Sequence, residues 1–403
     1  MLTPSIQIEI EITGAHMRSD HELEIRTRRQ FGGSEYHVAV QATINGTKIT
    51  GPSTEKDLGT NLSATSDPDA FVIDLEQQGV ARFTTNQKFP LTVSVTAADG
   101  SQVSDTKKGV ILLPTVIVPG IQPRGGHPNG GAGTYWQLEN YLTQRSAALL
   151  GSGTLGDGYR LVGAAPYPTL YTLTYDTNHA SLTRGANQLA QLIRSLTDPA
   201  ARTTYASAVN LVTQSKGGLV GRRFIVRPGN APRVNRMIMC APPNLGSVWA
   251  ALDAEPFADY SNLQPLWPWD RRLPAQRFIS TPNFELFQLN QVPLPALPSG
   301  NPYTIIYSDS TPTPYTFTSA PWRTWATRAL AVGSIGGDLV VPAFSARGEL
   351  LDPNHPVPAG PLPRIRAFQG IPIQYVPLPG THSFYLNQQP VQDAIFTRLW
   401  DGL

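Results

Sequence analysis

The chain has 403 residues, 40% of them apolar, 15% charged, and a formal net charge of +2. That is length enough for two domains and apolar content enough for a sizeable core. The near-neutral balance offers no basic stripe with interleaved aromatics, which excludes nucleic acid as an expected partner. Glycine (35) and proline (37) are abundant but clustered, not periodic, as expected for long loops on a folded scaffold. The single cysteine, Cys240, excludes an internal disulfide and sits in the apolar run Met237–Ala241, where a buried, inert thiol is expected. No stretch reaches the ~18 apolar residues of a membrane span. The first residues, Met-Leu-Thr-Pro-Ser, lack a charged segment followed by an apolar one, so no signal peptide is expected in this numbering. A cytoplasmic protein and a secreted one with its signal removed read alike here.

In the N-terminal third, Ile6, Ile8, Ile10 and Ile12 alternate with Gln7, Glu9 and Glu11, the period of a half-buried strand. Tyr36, Val38, Val40, Ala42 and Ile44 repeat it, and Asn45-Gly46 offers a tight hairpin turn into Lys48-Ile49. Further strands are expected at Phe71–Leu75, Val80–Thr84 and Leu91–Thr96. Short strands with turn signals and no convincing helix predict a small all-β, immunoglobulin-like sandwich over residues 1–108, with an accessory role. Its histidines, His16, His21 and His37, lack metal-ligand spacing, and Asp67 and Asp69 are too sparse for a calcium loop. Ser101–Lys108 is expected to be the linker into a catalytic domain over 109–403.

From Val110 the pattern changes. Val110–Pro119 is a nearly continuous apolar run, suited to a parallel strand covered on both faces. It ends at Pro119-Gly120-Ile121, where a glycine lets the backbone turn and present an N–H at the C-terminal edge of the sheet. The glycine-rich segment that follows lacks the Gly-Lys-Ser/Thr ending of a phosphate loop, which excludes that mode of nucleotide binding. Leu170–Tyr175 reads as a strand, and Ala186, Leu189, Ile193 and Leu196 mark one face of a helix. Strands alternating with helices predict a mostly parallel α/β sheet.

Val209–Thr213 is a short apolar strand that runs into Gln214-Ser215-Lys216-Gly217-Gly218, then into helical apolar spacing. This is the layout of a nucleophile elbow, a sharp strand-to-helix turn that pushes a serine hydroxyl out of the backbone. Small residues are needed beside the serine; Gly217 meets that need, and Thr213 meets it only partly. A serine hydroxyl needs a base to take its proton and a carboxylate to orient the base. His355 lies in a proline-bounded turn, whereas His382 follows the strand Ile371–Leu378 and precedes a helix through Val391, Ile395 and Leu399, the place expected for the base. Two carboxylates qualify as the acid: Asp338, in a glycine-rich loop anchored by Val340-Val341-Pro342, and Asp309, at the end of the strand Tyr303–Tyr307.

The motifs VTQSKGGLVGRRFI, APPNLGS, YSDSTPTPYTF, GGDLVVP and GTHSF occur in the order found in α/β-hydrolase lipases and esterases. They most resemble the lecithin:cholesterol acyltransferase-like branch, over about residues 112–403. The resemblance implies Ser215 as nucleophile, Asp338 as acid and His382 as base, with backbone N–H groups of Ile121 and Lys216 forming an oxyanion hole. Departures are Thr213, Gln214 where histidine commonly precedes the serine, and Asn244 where histidine is frequent. It implies an ester or lipid substrate handled without metal or organic cofactor, and leaves peripheral contact with lipid open. Residues 248–301 are rich in proline and aromatics, among them Trp249, Trp267 and Trp269. Such an insertion would cap the serine, with these tryptophans and Gly120 binding substrate; alternatively the aromatics only hold an irregular loop to the body. The expected activity is a serine esterase or lipase. An acyltransferase passing the acyl group to an alcohol, an amidase or thioesterase, and a non-catalytic binding protein are the alternatives.

Overall fold

A computed structural model describes residues 9–17, 20–30, 36–50, 69–97, 100–120, 135–152, 154–155, 159–163, 170–173, 175, 181–201, 203–246, 281–298, 300, 303–309, 341, 343–349, 365–380 and 382–400. The first strands are β1 (Glu9–Met17), β2 (Glu22–Gln30), β3 (Tyr36–Ile44), β4 (Thr47–Thr50), β5 (Asp69–Asp74), β6 (Gln87–Ala97) and β7 (Gln102–Ile111). β1, β2 and β5 form a three-stranded antiparallel sheet. β3, β4, β6 and β7 run antiparallel in a second sheet. The β3–β4 hairpin turns at Asn45 (φ 49°) and Gly46 (φ 77°), the two positive φ values the tight turn requires. Alternate residues of both sheets, Ile12, Leu23 and Ile25 from one and Val40, Ala42, Val93 and Val95 from the other, fill one apolar core. Asp105 of β7 accepts a hydrogen bond from the Ile12 amide of β1 at 2.7 Å, joining the two sheets.

Three expectations change here. Ser101–Lys108 is not a linker: residues 102–111 are β7, paired along its length with β6. Gln102, Ser104 and Thr106 form its exposed face, and Asp105, Lys107 and Lys108 add to the polar run, so its composition looks like that of a linker. The apolar run from Val110 is split: Val110 and Ile111 end β7, and β8 (Thr115–Val118) begins after Pro114, which has no N–H to continue a ladder. Val80–Thr84 is not a strand: it runs irregularly, with Phe83 in an isolated bridge to Ala206. There Arg82 donates to the carbonyls of Thr204 (2.6 Å) and Ala206 (3.0 Å), and Tyr205 donates to Val80 O (2.6 Å). The β-rich part also draws on later chain. β9 (Thr154–Leu155) and β10 (Tyr159–Gly163), which follow helix α1 (Trp136–Ser152), extend the second sheet, with β10 parallel to β7.

The remaining elements are β11 (Leu170–Thr172), α2 (Leu182–Thr197), β12 (Val209–Gln214), α3 (Lys216–Ile225), β13 (Val234–Cys240), α4 (Thr281–Gln291), β14 (Tyr303–Tyr307), α5 (Ala343–Arg347), β15 (Ile373–Pro377) and α6 (Gln389–Trp400). Six strands in the order β11-β8-β12-β13-β14-β15 make one wholly parallel sheet. Every residue of β8, β12, β13 and β14 is buried, as a sheet covered on both faces demands. Strand periodicity divides them cleanly. Val116, Val118, Leu211, Met237, Met239 and Ile305 face α2 and α3, while Ile117, Val212, Ile238, Cys240 and Ile306 face α1 and α6. The helix face predicted from Ala186, Leu189, Ile193 and Leu196 is buried in the first cluster, and Val391, Ile395 and Leu399 in the second. Helix α2 starts at Ser181, whose hydroxyl accepts from the Arg184 amide at 3.1 Å. The result is a three-layer sheet-and-helix body whose C-terminal strand ends lie along one edge.

Candidate active site

Strand β12 is covered on both faces and runs straight into α3, so the residue between them must reverse the chain within one step. Ser215 does so with φ 50° and ψ −127°, a conformation that costs a non-glycine residue ~1–3 kcal/mol. Its amide donates to Cys240 O of the neighbouring strand at 2.9 Å, and its carbonyl accepts from the Gly218 amide at 2.9 Å. Serine at this position ordinarily caps the helix through its hydroxyl, but Ser215 makes no such capping bond. The backbone amide is thereby committed to the sheet edge, and the side chain lies against Gly120, where an added Cβ would come within 3.4 Å of its Oγ.

The crowding around this turn accounts for its glycines. A Cβ on Gly217 would lie 2.1 Å from Val118 O and 2.7 Å from Pro119 O. A Cβ on Gly120 would lie 2.7 Å from Ser215 Cβ and 2.9 Å from Gln214 O. The backbone leaving β8 therefore passes directly against the serine. Thr213 is accommodated from the helix side. Its side chain is fully buried and donates to Ile238 O at 3.3 Å. It faces Gly218 and Gly221, where added Cβ atoms would come within 3.5 Å of its Oγ1 and 3.3 Å of its Cγ2. Two helix glycines thus supply the space that a small residue two before the serine would have supplied.

The other predicted residues divide. Gly120 lies two residues beyond the end of β8, beside Ser215, and Lys216 is the first residue of α3 and fully buried. Asp309 follows β14 at the same sheet edge and is exposed. β15 lies three strands from β12, about 14 Å at ~4.8 Å per strand. A 3-10 turn, His382–Asn387, follows it. Tyr385 and Leu386 of that turn are buried in the cluster that holds Tyr135, Val212 and Ile238. The Tyr385 hydroxyl donates to Leu378 O at 2.9 Å, closing the connection on itself. His382 opens the turn; its side chain lies outside the described residues, as do Ile121, Asp338, His355, Trp249, Trp267 and Trp269. Of the expected cap, residues 281–298 are described and contain α4, where the sequence reading had a loop.

Two features escaped the sequence. The first is a set of tyrosine hydroxyls behind Gly120. Tyr135 accepts from the Gly120 amide at 3.0 Å and donates to Gln214 Oε1 at 2.6 Å, and Tyr175 donates to Pro119 O at 2.6 Å. The second is Arg222, fully buried on α3. Its guanidinium donates to Asn244 Oδ1 (2.8 Å), Asn290 Oδ1 (2.9 Å) and Leu289 O (3.4 Å), and lies 4.9 Å from the Phe368 ring centroid. Burial pushes its pKa down to about 9. Asn244 in turn donates to Ala346 O at 2.6 Å, and Ser345 Oγ accepts from the Leu245 amide at 3.1 Å. Arg222 therefore ties the serine's helix to α4 and to α5, the segment that follows the Asp338 loop. The only sequence signal was the pair Arg222-Arg223, one of which had to fall on the buried side of an amphipathic helix.

Among the described residues, no group of three or more His, Cys, Asp or Glu side chains is placed to hold a metal ion, and no helix is long and apolar enough to cross a membrane. The six-stranded parallel sheet with helices on both faces and a strained serine between its third strand and the following helix define an α/β-hydrolase fold.

No protein-family model matches the chain, and no curated protein is similar to it. Solved structures that resemble it at a distance include the following. Phospholipase PlaB from Legionella pneumophila is 15% identical, with TM-score 0.46 over 71% of this chain and 60% of that one. The mature Bacillus licheniformis lipase BlEst2 is 15% identical, with TM-score 0.37 over 72% and 91%. Esterase B from Lactobacillus rhamnosis, inhibited by a tributyrin phosphonate, is 13% identical, with TM-score 0.33 over 76% and 77%.

Proposed function

We propose that this chain is a carboxylic ester hydrolase, a serine esterase or lipase. The observation that carries the reading is Ser215, held in a strained conformation at the C-terminal edge of a parallel sheet, against the turn at Gly120. In the mechanism, His382 takes the Ser215 proton as Oγ attacks the ester carbonyl. The oxyanion is held by the backbone N–H groups of Ile121 and Lys216, each such donor being worth ~2.7–4 kcal/mol. Collapse breaks the C–O bond, and the imidazolium gives its proton to the departing alcohol. Water, deprotonated by His382, then releases the acid from the acyl-serine. Asp338 holds the imidazole tautomer and stabilises its cation. An alcohol in place of water would make the same site an acyltransferase.

The aromatics of 248–301, with Trp249, Trp267 and Trp269, form a cap that receives the acyl chain. On this reading the β-rich N-terminal part is an accessory unit, and the resemblance of the motifs to the lecithin:cholesterol acyltransferase-like branch supports a lipid or ester substrate. The test is Ser215→Ala, which abolishes hydrolysis of p-nitrophenyl esters while circular dichroism stays unchanged. Turnover retained in that variant would sink the reading. A series of acyl chain lengths with the wild type defines the substrate.

A further inference from the structure

Given the esterase reading above, we propose that Tyr135 and Tyr175 are positioning residues that fix the oxyanion-binding turn against the nucleophile. The turn begins where β8 ends, at Pro119-Gly120, and its next amide is that of Ile121. The single peptide group before that amide, Pro119 C=O to Gly120 N–H, is held at each end by a buried phenol. Tyr175, 5% exposed, donates to Pro119 O at 2.6 Å. Tyr135, 4% exposed, accepts from the Gly120 amide at 3.0 Å.

The direction of the Tyr135 proton follows from that second bond. A hydroxyl that accepts from an N–H directs its own hydrogen elsewhere, and here it donates to Gln214 Oε1 at 2.6 Å. Gln214 is the residue immediately before Ser215. The chain Gly120 N–H to Tyr135 to Gln214 therefore connects the oxyanion turn to the nucleophile turn through two buried bonds. The Gly120 amide is occupied by Tyr135 and the Ser215 amide by Cys240 O, so neither is available to an oxyanion. The family resemblance implies the amides after each, Ile121 and Lys216, as the donors, and the held Pro119–Gly120 peptide anchors the chain just before the first of them. It also gives Gln214 a function at the position where the resembled family has histidine. Oxyanion donors act only when aimed in advance at the site where charge develops, so a turn free to rotate would lose part of their effect.

The experiment uses the full chain with p-nitrophenyl butyrate. Tyr135→Phe and Tyr175→Phe each remove a hydroxyl and leave the ring. Loss of aim lowers kcat about tenfold with KM within twofold, less than the ~10²–10³ for deleting a direct donor. Tyr205→Phe is the matched control, since its buried hydroxyl donates to Val80 O at 2.6 Å in the β-rich part. It lowers Tm to a similar extent and leaves kcat unchanged. Should Tyr135→Phe fail to fold, Tyr175→Phe carries the test. Tyrosine variants with wild-type kcat, or a kcat loss equal to that of Tyr205→Phe, overturn the proposal while Ser215→Ala inactivity leaves the esterase reading standing. Activity surviving in Ser215→Ala overturns both.

Discussion

Gly120 and Ser215 touch across the gap between two strands: a Cβ on the glycine would stand 2.7 Å from the serine's own Cβ. Contact this tight makes each residue the template for the other. Gly120→Ala forces the β8 turn away from the elbow, overpacking that costs ~1–3 kcal/mol. The expected outcome is a loss of ester turnover far larger than the loss of stability, read by kcat and by urea unfolding of the same sample.

Gly217→Ala meets backbone only, with Val118 O 2.1 Å from the new methyl group. No rotamer relieves that, so destabilisation of at least ~3 kcal/mol is expected, at or beyond the top of the overpacking range. Urea unfolding midpoints measure it; a smaller loss of stability than that of Gly120→Ala would contradict the geometry.

Thr213 and Gly221 share one space, which predicts coupling between them. Gly221→Ala destabilises the wild type more than it destabilises a Thr213→Ala background, by ~0.5 kcal/mol or more in a double-mutant cycle. Strict additivity would mean that the helix glycines do not accommodate the threonine.

Arg222 and Arg223 are neighbours in sequence with unequal expected costs. Arg222→Met strands the side-chain oxygens of Asn244 and Asn290, at ~1–3 kcal/mol for each unsatisfied acceptor, less the relief of an expensive buried cation. A net loss of ~2–4 kcal/mol is expected on the same basis. The half-buried Arg223, changed to Met, costs under ~1 kcal/mol, as is usual away from the core. Thermal or urea unfolding of the two variants provides the comparison.

Asp338 and Asp309 compete for one role. Replacing the orienting acid by its amide lowers kcat by ~10⁴ where a serine–histidine pair depends on it. That loss is expected for Asp338→Asn, with Asp309→Asn near wild type. The reverse result would hand the role to the exposed carboxylate at the end of β14.

Cys240 is fully buried at the end of β13, and burial raises its thiol pKa well above the ordinary value. The thiolate is the reactive form, so native protein resists iodoacetamide at pH 8 and is alkylated once unfolded in urea. Mass spectrometry distinguishes the two; rapid native labelling would contradict the burial.

Local pattern carried a large part of this fold. Short apolar runs located β12 and β14, which are covered on both faces, and helical periodicity located the buried faces of α2 and α6, which are covered on one. The serine on its strand-to-helix turn was legible in the same way. Other elements were not. Helix α1 and strand β2 were missed, and β7 was read as a linker, because its outward face has the composition of one.

What the sequence determined by itself was the order of the parts: alternating strands in the first third, then strand, helix and serine, then candidate acids and a histidine before the last helix. What only the tertiary structure decided was which distant residues meet. Tyr135 reaches Gln214 across 79 positions, Asn244 reaches Ala346 across 102, and Arg82 reaches Ala206 across 124. Those bonds have no local signature, since a tyrosine or asparagine reads the same whether it faces water or a buried amide. Burial makes them matter: a polar group removed from water must find a partner, and packing alone settles which one.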